Sequence, residues 1–82
     1  MNYTLYHGKS PKEENIIYDN IVSREDLNKK MVEFLKKINF KSYYYRTWSR
    51  DGYTYIDYGS HINYFITNMD VCTLLEIKKQ EG

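Results

Sequence analysis

The chain has 82 residues, a formal net charge of +1, ten tyrosines and a single cysteine. That length supports one small domain, able to bury only about 60% of the surface its unfolded chain exposes. One cysteine excludes an internal disulfide, and a near-neutral charge argues against a domain-wide nucleic-acid binder, which shows an overall basic excess.

No apolar run approaches the ~20 residues of a membrane-spanning helix. The N-terminus MNYTLYHGKS lacks the basic region and apolar core of a signal peptide. The expectation is a soluble protein of the reducing cytoplasm, with Cys72 a small buried hydrophobe rather than a nucleophile. The charge is unevenly placed. Residues 29–50 carry seven cations against Glu33, and residues 51–77 carry four acids with no Lys or Arg. A basic face beside an acidic one describes this better than a uniform field.

In chain order, Asn2–Tyr6 alternates Tyr3 and Leu5 with polar neighbours, a strand pattern. His7–Asn15 gathers Gly8, Ser10 and Pro11 among charges and reads as a loop, with His7 exposed at its edge. Ile16–Tyr18 reads as a second strand ended by a turn at Asp19–Asn20, and the two strands form a loose hairpin. A helix follows. Ser23 is its N-cap, Asp26 completes a capping-box-like SxxD, and Val22 with Leu27 forms a hydrophobic staple. Leu27, Met31, Phe34, Leu35 and Ile38 make one apolar stripe, and Asn39 is a left-handed stop.

Phe40–Thr67 holds seven of the tyrosines and the only Trp. Asp51-Gly52 signals a two-residue type I′ hairpin, because both central residues need positive φ. It pairs Arg50 with Tyr53, Trp48 with Tyr55, Arg46 with Asp57 and Tyr45 with Tyr58. One face then carries Tyr43, Tyr45, Thr47, Thr54, Ile56 and Tyr58. The second turn, Gly59-Ser60-His61, is read as a three-residue loop that adds Ile62, Tyr64 and Ile66 to this face, which receives the helix. The other face carries Trp48, Tyr55 and Phe65 across three strands, flanked by Tyr44, Arg46, Tyr53, Asp57 and Asn63. In Asn68–Gly82, Val71, Leu74, Leu75 and Lys78 have helical spacing while Val71, Thr73, Leu75 and Ile77 alternate like a strand; it is read as a short helix capped by Asn68 or Asp70, with a strand as the alternative and a frayed tail at residues 78–82. The expected fold is a single α+β domain in two layers: an antiparallel sheet, built from the C-terminal meander and an N-terminal strand or hairpin, packed on one main helix.

One helix covers one face of a sheet. The aromatic face is therefore an open contact surface, a surface covered by the C-terminal segment, or the interface of a homodimer. Trp, Tyr and Arg are the residues enriched in binding hot spots, which makes Tyr44, Arg46, Trp48, Tyr53, Tyr55, Asp57 and Phe65 the candidate partner-binding set. Asp57, Ser60 and His61 are the one cluster resembling an acid–base–nucleophile set. Ser60 and His61 are neighbours in a turn, however, and Asp57 is accounted for by Arg46. His7, His61 and Cys72 lack metal-ligand spacing, and Gly8, Gly52 and Gly59 are single turn glycines rather than a phosphate loop. The expectation is no catalytic set, no metal and no cofactor. An aromatic face beside cations also suits single-stranded nucleic acid, the alternative reading.

The pattern FKSYYYRTW…DGYTYIDYGSHINYFI, with the Lys, Asn, Ile and Tyr richness, resembles small accessory proteins of phages and mobile elements of AT-rich Gram-positive bacteria. The resemblance implies a non-enzymatic, anti-CRISPR-like protein of the host cytoplasm that binds and inhibits a host protein, such as a nucleic-acid-binding defence effector. It brings no catalytic motif with it.

Overall fold

The computed structural model describes residues 2–42 and 45–71. The elements are β1 (Tyr3–Gly8), a short 3-10 turn (Glu13–Asn15), β2 (Ile16–Ile21), α1 (Arg24–Lys37), β3 (Arg46–Arg50), β4 (Tyr53–Asp57) and β5 (Tyr64–Thr67). They form the expected α+β fold, one antiparallel five-stranded sheet in the order β2-β1-β5-β4-β3 with α1 packed on it. β1 is an inner strand, bonded to β2 on one side and β5 on the other. It therefore joins the N-terminal hairpin to the C-terminal meander. α1 carries the chain from one sheet edge, β2, to the other, β3.

The helix termini follow from their capping residues. Ser23 Oγ accepts the Asp26 N–H at 3.1 Å, and Asp26 Oδ2 accepts the Val22 N–H at 3.0 Å. The expected staple is absent: Val22 is 61% exposed while Leu27 is buried, so the grip of Asp26 on the Val22 amide fixes the entry. At the other end Asn39 has φ 57°, the Asn39 N–H reaches Lys36 O and the Phe40 N–H reaches Leu35 O. This is a Schellman stop, with Asn in the left-handed position. Leu27, Met31 and Leu35 bury against Leu5, Ile21, Ile56, Tyr58 and Phe65, each large apolar side chain contributing about 1.5–3 kcal/mol. Phe34 is half-buried at the margin of this core, and Ile38, at the cap, is exposed and leaves the stripe.

The expected turn at Asp19–Asn20 does not form. β2 runs through to Ile21, and its six residues oppose only Tyr3–Tyr6, the excess being taken up by two register shifts. Bulges absorb the turn-prone pair on this edge strand, which also makes the edge a poor template for further pairing. His7 and Gly8 belong to β1, not to the loop, because β5 pairs with them. A Cβ on Gly8 would lie 2.7 Å from Asn15 Nδ2, the group that donates to Ser10 O and closes the loop.

Asp51 (φ 52°) and Gly52 (φ 83°) form the left-handed pair of a type I′ turn. All five rungs from Arg50–Tyr53 to Arg46–Asp57 hold the expected register. Tyr45 lies just outside the ladder, half-buried against the core. The next connection differs from expectation. β4 and β5 pair Thr54 with Thr67, Tyr55 with Ile66 and Ile56 with Phe65, leaving residues 58–63 as a loop. This is the opposite parity to a three-residue turn. Phe65 and Thr67 therefore face the helix, Tyr64 and Ile66 face away from it, and Ile62 is 65% exposed outside the ladder.

Candidate binding face of the sheet

Side chains alternate along a strand, and cross-strand partners share a face. The pairs Trp48–Tyr55, Tyr55–Ile66 and Ile66–Tyr6 thus set one row across β3, β4, β5 and β1 on the side away from α1. Arg50 with Tyr53 and Arg46 with Asp57 flank that row. The Trp48 ring stacks on Tyr55 (centroids 5.8 Å, interplanar angle 15°) and meets Tyr64 edge-on at 5.4 Å. Tyr55 meets Tyr64 at 6.2 Å, and Tyr6 meets Tyr53 at 6.0 Å, both edge-on. The Tyr6 pKa is raised, first by burial and then by the charge and hydrogen bond of Tyr53.

On this side, away from α1, Ile66 is completely buried between its cross-strand partners Tyr6 and Tyr55. Tyr55 is buried as well, as a supporting ring. Trp48 is 37% exposed and is the outermost indole of the layer. The charges are balanced. Arg46 lies 3.4 Å from Asp57 Oδ2, whose other oxygen accepts the Gly59 N–H, and Arg50 lies 4.0 Å from Asp51. Exposed pairs of this kind add about 0–1 kcal/mol each, so their role is to shape the surface rather than to hold the fold.

Five of the expected site residues meet on this face: Arg46, Trp48, Tyr53, Tyr55 and Asp57. Phe65 does not. It is fully buried on the opposite face, with ring centroids 4.8 Å from Tyr58, 5.4 Å from His7 and 5.8 Å from Phe34. The β4–β5 register displaces it and puts Ile66 and Tyr64 in its place. Tyr44 lies outside the described residues, as do Cys72, most of the C-terminal helix expected after Asn68, and the tail at residues 78–82. Asn68 itself accepts the Thr4 N–H through Oδ1 and caps no described helix. Met69 and Val71 are buried in the helix-side core, so the described part of the chain beyond β5 leaves on that side.

Tyr6 and Tyr64 are additions to the sequence reading. Tyr64 was available from the other turn parity. Tyr6 joins only because β1 is an inner strand, which no local signal announces. His7 differs most from its expected exposed position. Its Nε2 lies 2.6 Å from the Tyr58 hydroxyl, and its ring packs on Phe34 at 4.5 Å, with burial lowering its pKa.

The Asp57 and Ser60 side chains are engaged elsewhere, and His61 is on open surface. Asp57 holds Arg46 and the Gly59 amide, Ser60 Oγ accepts the Ile62 and Asn63 N–H groups, and His61 is exposed. A groove of about 660 Å³ lies at the start of α1, lined by Tyr3, Val22, Ser23, Arg24, Glu25, Met69 and Asp70, and includes none of the three. Among the described residues no group of three or more His, Cys, Asp or Glu side chains is placed to hold a metal ion, and no helix is long and apolar enough to cross a membrane. No protein-family model, curated protein or solved structure matches the chain.

Proposed function

We propose that this chain is a non-enzymatic binding protein that engages another protein through the aromatic face away from α1. The observation that carries this reading is the Trp48–Tyr55–Tyr64 ring cluster, partly exposed and bordered by Arg46, Arg50, Asp51 and Asp57. Rigid rings give large contact area at little entropic cost, and Trp, Tyr and Arg dominate measured hot spots. Two carboxylates beside the two arginines favour a mixed-charge protein surface over a polyphosphate strand. The phage-like sequence pattern makes the partner a host protein, blocked by occupation of its surface in the manner of an anti-CRISPR.

The test is affinity capture from a bacterial host lysate with wild type, Trp48→Ala, Tyr64→Ala and, as a control on the helix's solvent side, Lys37→Ala. The expected result is a partner held by wild type and Lys37→Ala and lost with both ring variants, each retaining the wild-type circular dichroism. Folded ring variants that keep every partner would overturn the proposal. Quenching of Trp48 by oligonucleotides, weakening steeply with salt, would turn the assignment to single-stranded nucleic acid.

A further inference from the structure

We propose that Arg46, Trp48 and Arg50 form a recognition row for an extended acidic segment of the partner protein, one that carries two carboxylates four residues apart with an apolar side chain midway. The row depends on this face being the contact surface, and adds the chemistry of the segment that docks there.

The spacing comes from the strand. Arg46, Trp48 and Arg50 are alternate residues of β3, so all three project from the side away from α1, opposite Asp57, Tyr55 and Tyr53. At about 3.4 Å per residue the two arginines stand about 14 Å apart, with the indole halfway. Both arginine side chains are mostly exposed, at 64% and 70%, and Trp48 is 37% exposed between them. An extended segment lying along β3 has the same period of two. Three of its alternate residues therefore meet Arg46, Trp48 and Arg50 in turn. A helix does not match this spacing. Its same-face positions seven and eleven residues apart span about 10.5 and about 16.5 Å, on either side of the distance required.

The sign follows from how the charges are layered. Asp57 is only 13% exposed and meets Arg46 from the inner strand β4, so this pair turns its cationic end outward. The contact is made through one guanidinium nitrogen at 3.4 Å, longer than the about 2.7–2.9 Å of a well-formed charge-assisted bond, and the other Asp57 oxygen is engaged by the Gly59 N–H. Asp51 lies past the strand, in the turn, and reaches only Arg50 Nε, at 4.0 Å. Neither pairing is the two-pronged fork that arginine makes with a well-placed carboxylate. The two acids lower the net charge of the face, which disfavours a polyphosphate, but a segment lying along β3 meets the arginine heads first. Its two carboxylates take the guanidinium groups. The side chain between them rests on the exposed indole and on the Tyr64 ring, edge-on to it at 5.4 Å.

A displayed library of random linear peptides, free of tryptophan, is selected on the full chain. The consensus peptide is then titrated against the fluorescence of Trp48, the only indole in the chain. The expected result is Asp or Glu enriched at two positions four apart around a central apolar residue, with an affinity that falls as salt is raised. Arg46→Ala and Arg50→Ala should each weaken that peptide roughly tenfold. The double variant Arg46→Glu, Arg50→Glu should select Lys or Arg at the same two positions. Should it fail to fold, Arg50→Glu alone should switch one of them. Peptides lost with Trp48→Ala but carrying no such pair of acids would overturn the acidic segment and leave the contact face standing. Acidic peptides selected equally by wild type and Trp48→Ala would place recognition off this face and overturn both. Stronger quenching of Trp48 by an oligonucleotide than by the peptide would assign the arginines to phosphate and overturn the acidic segment, as would a selection that yields no consensus.

Discussion

On the helix side of the sheet, Leu5, Ile56 and Phe65 lose all exposure beneath Leu27, Met31 and Leu35; on the other side, Ile66 loses as much between the rings of Tyr6 and Tyr55. Both faces thus keep water off the sheet, but by different means. The helix buries whole side chains against others. The tyrosines lay their rings over the sheet and keep polar tips that water can solvate, as amphipathic side chains do. The tyrosines of this face thus have a structural use before any functional one. The same rings remain available to a partner.

The sharpest way to break this comparison is at two consecutive residues. Phe65→Ala should cost about 3–5 kcal/mol, since it empties a closed site among Tyr58, His7 and Phe34. Tyr64→Ala, one residue away on the opposite face, should cost about 1 kcal/mol or less, near one aromatic pair. Urea-unfolding midpoints of the two variants decide it, and equal losses would mean that both faces are closed cores. Ile66→Ala lies between. A cost of about 2 kcal/mol, the low end for a buried aliphatic truncation, is expected because the rings above it have room to settle into the vacated space.

Acid sensitivity should separate the faces next. Burial lowers the His7 pKa from its ordinary 6.5, so below that pH the unfolded chain takes up the proton before the folded one does. The His7 contribution is complete above 6.5 and declines as pH falls beneath it. At the alkaline end, Tyr58 and Tyr45 on the helix side and Tyr6 on the open side are all raised above 10.0. Stability therefore falls on both sides as pH passes 10. Unfolding midpoints across pH should show the acid decline in wild type and Tyr64→Ala, and a flatter acid limb in His7→Phe.

The legibility of the fold divides along the same boundary. Asp51-Gly52 and the Ser23/Asp26 pair act through their own backbone, so the hairpin register and the helix start could be read locally. The β4–β5 connection could not, because its geometry depends on Asp57 capturing Gly59, Ser60 capturing Ile62 and Asn63, and Tyr58 reaching His7 across the sheet. Counting Ile62 as a strand residue selected the wrong parity, and both parities offered an apolar series, Ile62-Tyr64-Ile66 or Phe65-Thr67 with Ile56. The candidate face survived this error for Arg46, Trp48, Tyr53, Tyr55 and Asp57, all fixed by the legible turn. It failed for Phe65, which depended on the illegible one.

Trp48 carries the smallest expected stability effect and the largest expected effect on binding. Its indole touches Tyr55 and Tyr64 but sits at the outer edge of the layer, with over a third of its surface in water. Trp48→Ala should therefore cost about 1 kcal/mol of stability, because solvent rather than a void replaces the ring. Its loss should weaken partner affinity by a hot-spot increment of about 2 kcal/mol or more, roughly thirtyfold. Phe65 should show the inverse ranking, with a large stability loss and no direct effect on binding once folded. Thermal melts and affinity measurements on the same two variants test this inversion. A Trp48→Ala variant as unstable as Phe65→Ala would make the aromatic layer a second core, and its exposed indole an ornament of that core rather than a contact.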